Sequence, residues 1–330
     1  MVPNPRLYAL VLAVSIAVLY GSTYQQFRFF TLAAPGGASD AVEYVRIARG
    51  DPAVEREGPH QYRWVTPALA RAVLPIAGRL AEGPDEAVRW SFYLVNFVFS
   101  TATCLILFAL LQALAFSVPS ALLGVAAFAS SRATVMATAT PMVDAVYYLA
   151  VVAVLALLVT KRTLWLAVLL PVLALTKETI LPFLLLPLLT DLRRAPIYWL
   201  ALVAAVLAYA ASGQAVDAMF AAQGPSLVRN VREHLPAVGA HLAGLFSVRG
   251  LHDLQSGFSL LLPLAAIGGW LNARHRYHAI PAAVAATIPL AFGLALLSGN
   301  TGRMFFAAFP AVIAYALIAV EYVARQGEVR

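Results

Sequence analysis

Charge is scarce in this chain. Lys, Arg, Asp and Glu make up 12% of its 330 residues, about half the roughly 25% usual in soluble domains, which excludes a water-soluble globule. Cysteine is almost absent. Cys104 stands alone inside an apolar run, so it forms no internal disulfide and belongs to no metal motif. A basic patch is lacking too: the 23 Lys and Arg are scattered between apolar runs, so the net charge of +7 points to membrane orientation, and no nucleic-acid partner is expected. What the chain does have is apolar sequence, 61% of it, with a mean hydropathy of +0.79. That describes an integral membrane protein. The length leaves room for one polytopic unit, residues 1–330, and none for a large soluble domain.

The expected fold class is an all-α polytopic membrane protein with about ten transmembrane segments. Leu7 to Tyr20 reads as a retained anchor rather than a signal peptide. Val88 to Phe116, Ser120 to Ala129 (extended towards Ala139 across Ser130, Ser131 and Arg132) and Pro141 to Thr160 follow. Leu164 to Leu189 is apolar except for Thr176-Lys177-Glu178-Thr179 at its middle. A charged pair at the centre of a bilayer helix costs several kcal/mol, so two short halves with Lys177 and Glu178 at the tip are expected, an irregularity tolerated where it lines a cavity. Ile197 to Ser212, Gly257 to Leu271, Ile280 to Leu297 and Met304 to Tyr322 complete the set.

Between the spans lie two long loops, Gly21 to Ala87 and Gly213 to Gln255. The first carries eight of the sixteen acids and seven arginines. Its segment Val65 to Leu80, broken by Arg71 and Arg79, suits a helix lying along the membrane surface. A similar surface helix is expected around Val228 to Leu245. With the N-terminus inside, the inner segments hold nine basic residues (Arg6, Lys161, Arg162, Arg193, Arg194, Arg274, Arg276, Arg325, Arg330) against three acids (Asp191, Glu321, Glu328). The positive-inside rule therefore makes both termini cytoplasmic and both long loops external. Asp40, Glu43, Arg63, Arg132, Asp144, Lys177, Glu178 and Arg303 then all fall on the external side.

Each of these residues has two readings. Asp40, Glu43 and Tyr44 share a helical face, and a carboxylate there could serve as a general base; Ser39-Asp40 followed by Glu43 is also close to a helix-capping box. Arg63, after Tyr62, could hold a phosphate by paired hydrogen bonds, or anchor the chain at the interface. Lys177 and Glu178 could serve a substrate, or pair with each other at a turn. The glycines of Gly299-Asn300-Thr301-Gly302-Arg303 permit a tight turn that brings Arg303 to the external mouth, where it could contact a phosphate or simply end the helix at the interface. Asp144 and Arg132 flank the same face and could pair. His234, His241 and His252 complete no zinc pattern, and a divalent cation is left open.

The acidic start Asp40…Tyr44…Ala48-Arg49-Gly50, the close Tyr62-Arg63-x3-Pro67, Leu175-Thr176-Lys177-Glu178-Thr179 before LPFLLLPLL, and Thr301-Gly302-Arg303 before FFAAFP together resemble bacterial polytopic proteins of cell-surface glycopolymer formation. These in turn are similar to the C-type glycosyltransferase superfamily, which includes protein O-mannosyltransferases and lipid A aminoarabinose transferases. The resemblance implies a polyprenyl-phosphate sugar donor, a glycan, lipid or protein acceptor, inverting transfer at the external face of the inner membrane, and an aspartate in the first external loop as catalyst. Asp40 is the residue that matches it, with Arg63, Lys177 and Arg303 as candidates for the lipid phosphate. The chain ends eight residues after its last span, so the soluble C-terminal domain of the larger members is not expected. Three rival readings stay open: a flippase or transporter for lipid-linked sugars, a ligase-like enzyme acting through Arg229, Arg232, His234 and His241, and a non-catalytic subunit of a polysaccharide assembly complex.

Overall fold

The computed structural model describes residues 4–31, 39–50, 63–189, 195–220, 235–298 and 301–328, and among them every regular element is helical. In chain order the elements are α1 (Pro5–Phe29), α2 (Ser39–Arg49), α3 (Val65–Ala77), α4 (Pro84–Ala113), α5 (Val118–Ser130), α6 (Arg132–Ala139), α7 (Asp144–Val159) and α8 (Thr163–Ala174). A 3₁₀ run (Glu178–Leu189) separates these from α9 (Ala195–Phe220), α10 (Val238–Leu245), α11 (Val248–Phe258), α12 (Leu261–His275), α13 (Ala282–Ala285), α14 (Thr287–Ser298), α15 (Thr301–Phe305) and α16 (Phe309–Glu328). Among the described residues four stretches are long and apolar enough to cross a membrane: α1, α4, the first part of α9 and the nearly continuous Gly302–Gln326. They become six if each of two bent pairs, α5 with α6 and α11 with α12, counts as one crossing.

Burial sorts these helices into centre and rim. The apolar window of Gly302–Gln326 is 89% buried, against 22% for α1 and 17% for α9. Beside it α7 is apolar on every side after Asp144 and almost wholly covered, as expected of a helix hydrophobic all round. The outward faces of α8 and α9 expose Leu164, Trp165, Trp199 and Leu200, which suits lipid.

The two long loops are shorter than the hydropathy alone indicates. The first does not start at Gly21, because α1 continues through Gly-Ser-Thr-Tyr-Gln-Gln-Phe-Arg-Phe to Phe29. That stretch is polar on average, but one side of it is buried on α4. Phe27 stacks on Tyr93 with centroids 4.5 Å apart, and the Thr23 hydroxyl lies 3.0 Å from the Tyr93 hydroxyl. The loop also closes before Ala87: Pro84 opens α4, with Asp85 and Glu86 in a first turn whose free amides favour acids. On the second loop α9 runs on to Phe220, and α11 occupies what was expected to be the loop's end.

Bends fall where local chemistry breaks the ladder. Ser131 takes an extended backbone and accepts from the Thr134 amide at 3.3 Å, so α6 starts anew at 56° to α5. At Ser259 a φ of +50° ends α11, and α12 leaves at 81°. The break inside Leu164–Leu189 runs from Leu175 to Lys177. Pro182 and Pro187, lacking amide donors, sit in the 3₁₀ run beyond it.

The contact between α12 and α16 depends on one glycine. A Cβ on Gly268 of α12 would stand 1.8 Å from the Tyr315 carbonyl oxygen on α16, whereas the nearest atom to a Cβ on Gly269 is the Tyr315 ring at 3.9 Å. Small residues let membrane helices meet backbone to backbone in this way. Gly268→Ala is therefore expected to cost about 1–3 kcal/mol of stability as an overpacked contact, and Gly269→Ala close to nothing. Thermal unfolding in detergent checks the pair, and equal melting of the two variants would refute the contact's importance.

Candidate functional site

Five separate segments deliver charged side chains to one place. Asp144 is the first residue of α7, where an acid complements the helix dipole. Its position is set from α4: Asn96 Nδ2, fully buried, donates to the carbonyls of Thr140 at 3.1 Å and Met142 at 3.0 Å, pinning the turn that leads into α7. Asp144 is then held by two cations. Lys177 Nζ donates to Oδ1 at 2.7 Å, and Arg303 Nε donates to Oδ2 at 2.7 Å. Arg303 Nη2 also lies 2.6 Å from Oδ2, close enough to attract but without the alignment of a hydrogen bond. The remaining arm of Arg303, Nη1, reaches α2 and donates to Asp40 Oδ2 at 2.7 Å. One guanidinium thus joins the two aspartates.

A second group adjoins the first through the peptide between Lys177 and Glu178. Arg63, just ahead of α3, donates from Nε to Glu178 Oε2 at 2.9 Å and from Nη2 to Glu178 Oε1, a two-pronged grip. Its Nη1 donates to the Tyr44 hydroxyl at 2.8 Å. Burial works against the Arg63 charge, but Glu178 and Tyr44 outweigh it and hold the guanidinium protonated well above its usual range. Burial also pushes the Tyr44 phenol up to about 12 against the pull of Arg63, so Tyr44 is a neutral partner at ordinary pH. Three cations (Arg63, Lys177, Arg303) face three carboxylates (Asp40, Asp144, Glu178), and their charges cancel.

The exposures differ in an informative way. The side chains of Lys177 and Asp144 are 0% and 4% exposed, and those of Arg63 and Glu178 both 8%, whereas Asp40 and Arg303 keep 21% and 19%. The first four are enclosed. Asp40 and Arg303 are the pair that meets the outside.

Beside Arg303 opens a cavity of about 320 Å³. Asp144 and Arg303 form one part of its wall, α6 contributes Arg132, and α11 contributes Asp253 and Ser256, with Tyr148 and two methionines among the other lining residues. Asp40 is not part of the cavity lining; it touches the Arg303 guanidinium, which is.

Several expectations are corrected by this geometry. Lys177 and Glu178 do not pair with each other; each turns to a partner more than thirty residues away, because the chain kinks between them. Asp144 does not pair with Arg132 but with Lys177 and Arg303. Arg132 is exposed and, among the described residues, meets no carboxylate. Arg63 is buried in the protein and is no simple interfacial anchor. Glu43 stands apart from the network: Oε1 accepts from Arg46 Nη1 at 3.1 Å, and Oε2 is buried without a hydrogen-bond partner among the described residues. Tyr62, Arg229, Arg232 and His234 lie outside the described residues. His241 places Nδ1 2.6 Å from the Leu296 carbonyl, a contact that ties α10 to α14.

Asn96 and Asp253 did not stand out in the sequence. A lone amide inside SFYLVNFVFS is a signal that an intramembrane polar group has a task; Asp253 offers no comparable signal. Among the described residues no three His, Cys, Asp or Glu side chains are grouped to hold a metal ion. Asp144 has given one oxygen to Lys177 and the other to Arg303, so the residues present do not fit a cation there.

No protein-family model matches the chain, and no curated protein matches it.

Proposed function

We propose that the protein is a membrane glycosyltransferase that moves a sugar from a polyprenyl-phosphate donor to a hydroxyl of a glycan, lipid or protein acceptor, with inversion. On this reading its shorter apolar helices bring the spans to about ten, in an arrangement like that of the C-type glycosyltransferases. The site faces the exterior of a bacterial inner membrane, with both termini cytoplasmic. The observation that carries the reading is Arg303: its guanidinium links the two aspartates and forms part of the wall of a cavity that also holds Arg132.

The chemistry follows from that arrangement. Asp40 takes the proton of the acceptor hydroxyl, and the acceptor oxygen forms a bond to the anomeric carbon. The bond from that carbon to the phosphate oxygen breaks, and polyprenyl phosphate leaves with the electron pair. Arg132 and Arg303 meet the developing charge, fixed in place before the reaction as electrostatic stabilisation requires. Arriving phosphate competes for Arg303 and so releases Asp40 Oδ2 to the acceptor. Lys177, Arg63 and Glu178 hold this machinery rather than touch substrate, since their charges are buried and committed, and Tyr44 joins them as the neutral partner of Arg63.

Two polar ends support the orientation. Arg303 and Glu321 are 18 positions apart (321 − 303) on one nearly continuous helix, about 27 Å at 1.5 Å per residue, close to the thickness of a hydrocarbon core of about 30 Å. At the Glu321 end, Oε1 accepts from the Ser117 amide and Oε2 lies 3.0 Å from His278 Nε2. Arg274, Arg276 and Arg325 belong to that end, which suits a cytoplasmic face.

The test is direct. The purified protein in nanodiscs should transfer hexose from a short-chain polyprenyl-phosphate donor to a hydroxyl acceptor or to water, followed by release of polyprenyl phosphate. Absence of turnover with a panel of polyprenyl-phosphate hexoses, together with sugar-lipid transport in sealed vesicles, would replace this reading with the flippase.

A further inference from the structure

The cavity beside Arg303 has one feature the proposed transfer does not use. Four ionised side chains line it, and two of them, Asp144 and Arg303, are already bound to each other. The other two are Arg132 on α6 and Asp253 on α11. Asp253 is about half exposed, and its Oδ1 lies 3.9 Å from His252 Nδ1, too long for a hydrogen bond. Among the described residues it meets no lysine or arginine. A carboxylate accepts hydrogen bonds at two oxygens and donates none, and Asp253 is one of the residues lining the cavity. Next to it Ser256 spends its hydroxyl proton on the Asp253 carbonyl at 2.9 Å, which leaves the serine oxygen as a further acceptor.

The placement of Asp253 is built into the packing. A Cβ at Gly302 would come 2.9 Å from the Asp253 carbonyl oxygen and 3.5 Å from its Cβ. Only a glycine lets α11 lie that close to the residue preceding Arg303. The acceptor side of the cavity is therefore fixed relative to the cationic side.

We infer that Asp253 is a specificity-determining residue, accepting hydrogen bonds from the hydroxyls of the transferred sugar while Arg132 takes the neighbouring phosphate. This rests on the sugar-lipid reading above and adds to it which wall of the cavity holds which part of the donor. Sugar hydroxyls are donors, and charge-assisted bonds from them to a carboxylate are the strong kind. At about 320 Å³ the cavity is at the small end of ligand pockets, which run from about 300 to 1,000 Å³. It suits a single sugar headgroup rather than an extended glycan.

The experiment compares two lipids, short-chain polyprenyl phosphate and the same lipid carrying one hexose, binding to the full-length protein in nanodiscs. Wild type should bind the glycosylated lipid more tightly. Asp253→Asn should lose that preference, with affinity for the glycosylated lipid falling about tenfold or more and affinity for bare polyprenyl phosphate unchanged. Arg132→Gln should weaken both. If Asp253→Asn discriminates between the lipids as wild type does, the inference is wrong and the transferase reading survives. If wild type binds neither lipid, both fall together. Because Asp253 is half exposed and outside the buried network, its variant keeps the wild-type melting temperature, and a large drop in that temperature would assign it a structural role instead.

Discussion

Asp40→Asn is expected to slow the proposed sugar transfer by about 10²–10⁴-fold, the usual contribution of a positioned general base, while leaving the protein folded. The second half of this expectation is what makes the first readable. Asp40 is partly exposed, and Arg303, with which it forms an ion pair, keeps Asp144 through Nε. Asparagine still offers Arg303 a carbonyl oxygen of the same shape. The variant therefore leaves no buried charge alone and should melt within about 1 kcal/mol of wild type, as partly exposed pairs do. Transfer rates measured beside melting curves give the answer. A variant that transfers within threefold of wild type would remove Asp40 from the mechanism, and Asp253 would then be the carboxylate to test as base.

Glu178→Ala should do the opposite, damaging the fold first. Arg63 and Glu178 are each 8% exposed and grip one another with two hydrogen bonds. Removing one member of such a pair leaves the other charged, buried and unmatched, which costs about 3–5 kcal/mol. Tyr44 remains beside Arg63 but cannot neutralise it, since burial keeps its phenol protonated. Replacing both members, Arg63→Met with Glu178→Leu, removes the stranded charge and should recover most of the lost stability, because a buried ion pair and a well-packed apolar pair of similar volume are often close in energy. A double-mutant cycle on thermal midpoints in detergent measures the coupling. If Glu178→Ala melts with wild type, or the double variant is as unstable as the single, the pair is not what holds α3 to the 3₁₀ run.

How much of this was legible beforehand depends on the kind of signal. Lys177 and Glu178 drew attention because two charges in an apolar run must have a reason, and the chain does kink there. Their partners were not legible: Asp144 and Arg63 are 33 and 115 positions away, and pairing across such distances is set by packing. Arg132 looked like a mate for Asp144 because the two flank the same face of the membrane, yet the bend at Ser131 leaves it on the cavity wall. The length of α1 was missed for another reason. Hydropathy averages over a helix, and the residues from Gly21 to Phe29 are polar on average but apolar where Phe27 meets Tyr93. Asn96 escaped notice because one uncharged amide hardly lowers the hydropathy of a 30-residue helix. Asp253 owes its place to Gly302, a glycine that reads as turn chemistry until the neighbour it admits is known.

The network also has an order in time. A chain is made from its N-terminus, and the contacts of Arg303 reach back 159 positions to Asp144 and 263 to Asp40. The pair Lys177–Asp144 can close early, only 33 positions apart. Glu178 reaches back 115 positions to Arg63. Arg303 comes last of all, so the ribosome has moved 159 positions past Asp144 and 263 past Asp40 before the guanidinium that joins both aspartates exists. Until then α7 carries into the membrane an aspartate balanced by one lysine, and the insertion machinery has to shelter α2 without its final tether. A nascent chain stopped ahead of residue 303 should therefore be a substrate for quality control, even with most of its apolar helices already in place.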